Sequence, residues 1–96
     1  HLALDPRSVQ GWYNLAVLKI RVNDFSSAKQ ALETVVMIDP KSEQGWFNLI
    51  YVAEKLGEAQ LSLRAARELN RMVPSNATYQ KRLKEVEKRF AQISHN

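Results

Sequence analysis

The side chains of this sequence whose types and spacing could do chemistry are cations, amides and rings. Arg21, Lys55, Lys81, Arg82 and Arg89 could each pair with a carboxylate. Asn14 and Asn48 stand 48 − 14 = 34 positions apart, and an amide at each can bracket an extended peptide backbone because it offers donor and acceptor together. Tyr13, Phe47 and Tyr51, with Val17, supply aromatic and apolar surface. The chemistry open to such a set is capture of a ligand with acidic groups at one end and an apolar side chain at the other.

Bond-making chemistry has little to work with. The two histidines, His1 and His95, sit at the chain ends, where a packed site is hardest to build. Zero cysteines exclude disulfides and thiolate metal sites, and fit a cytosolic setting. There is no Gly-rich phosphate loop, no nucleophile beside a recognisable base, and no His or carboxylate set at metal spacing. The expectation is a chain that is not an enzyme and needs no cofactor or metal.

The elements that must position these residues repeat. Gly11-Trp12-Tyr13-Asn14-Leu15 returns as Gly45-Trp46-Phe47-Asn48-Leu49, and Pro6, Pro40 and Pro74 keep the same interval of 34. Such self-similarity is the mark of stacked supersecondary units. Periodicity and punctuation predict five helices, over residues 8–22, 25–38, 42–56, 59–72 and 76–93. Ser8 and Ser42 are placed to cap the first and third, and Asn23-Asp24 leads into the second. Gly57 and Asn23 occupy the inter-helix turns, which need the left-handed backbone region. In the fifth helix Tyr79, Leu83, Val86, Phe90 and Ile93 recur at steps of 4, 3, 4 and 3, a single apolar stripe.

The unit resembles a tetratricopeptide repeat (TPR), a 34-residue helix-turn-helix. The first unit matches at Trp12, Leu15, Ala16, Ala28 and Pro40, with Phe25 in an aromatic slot; the second matches at Trp46, Leu49, Ala53, Gly57 and Pro74. Lys19, Ile50 and Ser62 depart from the pattern without shifting the period. The resemblance implies an all-α, right-handed superhelical α-solenoid forming one domain over residues 1–96. Within it, 1–6 is the tail of a preceding repeat, 7–40 and 41–74 are two repeats, and 75–96 is a capping helix. The cap is expected because Gln80, Lys84 and Glu87 fill the slots of the repeat's Trp, small and aromatic residues. Leu2-Ala3-Leu4-Asp5-Pro6 reads like the end of a helix whose partner is missing, so the chain is expected to be the C-terminal part of a longer protein, with an open N-terminal edge that invites self-association.

In a TPR array the first helix of each pair lines the concave wall. At about 100° per residue, the stripe roughly opposite Trp12 holds Gln10, Tyr13, Asn14, Val17 and Arg21. Its counterparts are Gln44, Phe47, Asn48, Tyr51 and Lys55, then Thr78, Lys81, Arg82, Glu85 and Arg89. These fifteen positions carry five basic residues against one acidic, a net +4 equal to that of the whole chain. The wall is therefore expected to be basic where the array ends and aromatic where it begins. The resemblance implies a noncatalytic interaction module that binds a peptide segment of a partner protein, an acidic one given the charge. The carboxylate clamp of some TPR co-chaperones would fall on Tyr13, Val17, Asn48, Thr78 and Arg82. Only Asn48 and Arg82 match it.

Composition is that of an ordinary soluble globular chain: 45% apolar and 25% charged, with no apolar run near the roughly 20 residues of a membrane span. Two other readings have some support. One is oligomerisation through the N-terminal edge and convex surface; the other is RNA binding, for which there is only a pI near 9.6 and no repeated base-reading pair.

Overall fold

The computed structural model describes residues 8–94, with side chains placed as far as residue 91. The expected tail at 1–6, both histidines and the Ile93 side chain lie outside the described residues. Those described are all-helical: α1 (Val9–Arg21), α2 (Phe25–Ile38), α3 (Glu43–Leu56), α4 (Ala59–Met72) and α5 (Ala77–Ser94).

Each first helix of a hairpin opens the same way. The side chains of Ser8, Ser42 and Asn76, spaced 34 apart, accept from the backbone N–H three residues on, at 3.0, 3.0 and 3.1 Å. A short polar oxygen at that point satisfies an N–H that the helix itself leaves open. Asn76, expected inside the fifth helix, is thus its cap. Asp24 caps α2 by accepting from Ser27 N–H, and hydrogen bonds from the Ser27 side chain first and then from that backbone N–H hold its carboxyl below the ordinary 3.8. Glu58, its counterpart, makes no capping bond and instead accepts from Lys29 Nζ at 2.7 Å, tying α4 to α2. The turns between paired helices pass through Asn23 (φ 62°) and Gly57 (φ 74°), the left-handed region expected of both.

The helices form two layers, α1, α3 and α5 in one and α2 and α4 in the other, each packing chiefly on its neighbours in the chain. Leu32, Leu49, Ile50 and Leu69 fill the seam between layers. Trp46 is 7% exposed, and its Nε1 donates to the Pro40 carbonyl at 2.7 Å, pinning the entry of α3 to the chain that precedes it. Gln80, in the Trp slot of the third unit, donates to the equivalent carbonyl of Pro74. The indole is lost there and its hydrogen bond is kept. Trp12 and Leu15, expected in the core, pack against it but stay half-buried. The reason is position in the stack: Leu18 is 56% exposed, whereas Val52, one period later, is 0% exposed with helices on both sides of its hairpin.

At Gly45, α3 lies tight against α2. A Cβ there would lie 2.8 Å from Val35 Cγ1 and 3.1 Å from Val36 Cγ1, and Val35 is fully buried with no room to yield. Alanine would gain helix propensity but overpack this contact. Gly45→Ala is therefore expected to lower stability by about 1–2 kcal/mol, read as a fall in the urea midpoint. An unchanged or raised midpoint would show that the two helices can part without cost.

Candidate functional site

In the layer of α1, α3 and α5, contacts bring several of the sequence-predicted residues together. On α3, Asn48 Nδ2 donates to the Tyr13 hydroxyl of α1 at 3.1 Å and to the Gln44 carbonyl at 2.9 Å. Both donor hydrogens are thereby used, and the amide oxygen remains as an acceptor. Asn14 is arranged the other way round, its oxygen accepting from Gln10 Nε2 at 2.9 Å and its NH₂ left to donate. Successive rungs of the wall thus offer one acceptor and one donor, the pair that an extended backbone requires.

The rings form two clusters. Phe47 lies between Tyr79 of α5, with centroids 5.8 Å apart, and the Arg82 guanidinium 5.8 Å from its ring. Tyr51, 41% exposed, meets the edge of Phe25 at 6.2 Å and carries the Lys55 ammonium 5.5 Å from its centroid. Val17 is half-buried on α1. Arg21 and Lys81 are exposed and make no ion pair among the described residues.

Charge is distributed differently from the sequence count. Glu54 of α3 lies one residue off the stripe and so escapes it, yet its carboxylate takes Arg89 at 3.2 Å and Arg82 at 3.7 Å. Arg82 also reaches Glu85 at 3.6 Å. Arg82 and Arg89 therefore face two carboxylates, and the end of the wall expected to be basic keeps a net charge of only +1, from Lys81, Arg82 and Arg89 against Glu54 and Glu85. Among the described residues, the wall cations without an ion pair are Arg21, Lys55 and Lys81. Lys19, at the base of α1, keeps its ammonium partly wet, 4.0 Å from Asp24.

Tyr79 is a wall residue that sequence reasoning assigned only to packing. Its hydroxyl donates to Glu43 Oε1 at 3.0 Å, and burial, reinforced by that carboxylate, pushes the phenol above its ordinary 10.0. The sequence signal was its register, the slot of Gly45 and Gly11 in the repeat, where a large ring stands in place of no side chain at all. On the other side of the molecule, Met37 (78% exposed), Leu61, Arg64 and Glu33 border a groove of about 670 Å³ floored by Trp46. None of the sequence-predicted residues lines it.

No protein-family model and no curated protein matches the chain. Among solved structures 39 chains match, so the architecture is widespread and by itself selects no ligand. One of them, the crystal structure of MamA, a TPR-containing protein, superposes with a TM-score of 0.73 over 93% of this chain at 17% identity. The chain spans 64% of the length of that MamA chain. The likeness shows the fold, an α-solenoid of TPR-like helical hairpins. No helix among the described residues is long and apolar enough to cross a membrane.

The raised Tyr79 phenol gives a test of this wall. In the folded chain it holds its proton past 10.0 while the unfolded chain loses it there, so stability is full below that pH and falls as the pH climbs above it. Ultraviolet difference titration of the wild type against Tyr79→Phe is expected to isolate an ionisation above 10.0, and Glu43→Gln is expected to bring it down. Ionisation at or below 10.0 would mean that the hydroxyl is not seated against Glu43.

Proposed function

We propose that this chain is a noncatalytic protein-interaction module whose inner wall binds an extended segment of a partner protein. The observation that carries this reading is the pairing of Asn14 and Asn48, one amide with a free donor and the next with a free acceptor, beside the Phe47–Tyr79 rings. Backbone would lie along the amides, an apolar side chain against the rings, and acidic side chains on Arg21, Lys55 and Lys81. Its function would then be assembly or scaffolding, and the fold shared with a TPR-containing protein supports that class of role. Chemical-shift mapping of hits from an acidic peptide array is expected to perturb Asn14, Asn48 and Lys55. Arg21→Glu combined with Lys55→Glu is expected to weaken binding about tenfold while helicity is kept. Hits that map to α2 and α4 alone would overturn the reading.

A second reading is favoured by Leu18 and Val22, 56% and 63% exposed at the end of α1. On this view the N-terminal edge pairs with a second copy, and the wall is incidental. Light scattering at two concentrations separates the two: a dimer that Leu18→Glu dissolves supports the edge, and a monomer at both concentrations removes it.

A further inference from the structure

Glu54 does more than fasten α5 to α3. Its side chain is only 17% exposed and its buried Oε2 accepts no hydrogen bond among the described residues, Arg89 balancing it by charge at 3.2 Å, so taking both arginines away would strand a carboxylate in a dry setting. A ligand carboxylate that engaged Arg82 and Arg89 would exchange one ion pair for another and leave Glu54 unpaired, a net loss. Glu58, the other acid at the small cavity beside Glu54, is already held by Lys29 and offers no exchange.

We infer that Glu54 is a specificity-determining residue of the wall, an internal carboxylate that keeps Arg82 and Arg89 from acidic ligands and so confines recognition of acids to Arg21, Lys55 and Lys81. This rests on the peptide-binding reading and deepens it. The wall would then discriminate by where a segment carries its acids. Acids that meet the unpaired cations on α1, α3 and the start of α5 bind, and acids aligned with the Glu54 cluster meet no free charge.

The test uses a fluorescein-labelled peptide of ten residues rich in Asp and Glu with one Tyr, and its Asn/Gln counterpart. Affinity is measured by anisotropy for the wild type, Glu54→Gln and Glu87→Gln, the last removing an exposed acid of α5 that touches neither arginine. Glu54→Gln is expected to tighten the acidic peptide by about fivefold, the size of one partly exposed ion pair. It should also shift the Arg82 and Arg89 side-chain resonances and leave α5 amides protected from exchange. Glu87→Gln should do neither.

Equal affinity in Glu54→Gln and wild type, an equal gain in Glu87→Gln, or loss of α5 protection in Glu54→Gln would overturn the inference, reducing Glu54 to a fastening. Wild-type binding without a gain in Glu54→Gln would leave the peptide-binding reading standing alone. Binding by Glu54→Gln only would uphold the inference and overturn that reading for the natural chain. Absence of binding by every protein would overturn both.

Discussion

No hairpin in this chain can bury its own apolar face. Leu18 and Val52 hold the same place in successive units, yet the first is 56% exposed and the second 0%, and the difference between them is what stands beside the hairpin. Everything else in the structure follows from that dependence. The helices pack in chain order, the seam between layers is filled from both sides, and α5 buries one side only. Val86 is buried there while Lys84, Glu87 and Lys88 remain exposed. Stability in such an array is a sum over neighbours, so each unit is held by the next.

Polar bonds as well as apolar packing link the units. Trp46 and Gln80 differ in shape and hydrophobicity, but each donates to the proline carbonyl six residues behind it. Lys29 and Glu58 join the outer layer in the same way that Tyr13 and Asn48 join the inner one. The last two bonds cross positions about one period apart, so the register of the stack is fixed by hydrogen bonds as well as by packing.

Much of this was legible in the residues because it is local physics. The capping serines, the left-handed Asn23 and Gly57, and the apolar stripe of α5 act within one or two turns of helix, and the helix bounds they predict agree with the structure to within a residue or so. What escaped depends on residues far apart in sequence. Glu54 lies beside Lys55 and reads as one of many solvated charges until α5, 28 and 35 positions further on, brings Arg82 and Arg89 to it. Tyr79 reads as core because its spacing is that of the buried stripe, and only the approach of Phe47 and Glu43 shows its second role. Net charge is legible in the sequence as a total, but a pairing such as that of Glu54 with Arg82 and Arg89 lowers it in place without changing the sum.

Gly45 has a consequence that reaches beyond its own contact. With only a hydrogen where a side chain would begin, the methyls of Val35 and Val36 come within 2.8 and 3.1 Å of that point, and the backbones of α2 and α3 settle correspondingly close. That spacing fixes how far each hairpin tilts on the last, and the curvature of a solenoid is the accumulation of one tilt. The span of the inner wall, and with it the length of chain that could lie along it, is therefore governed from the opposite side of α3, by a residue that no ligand on that wall would touch.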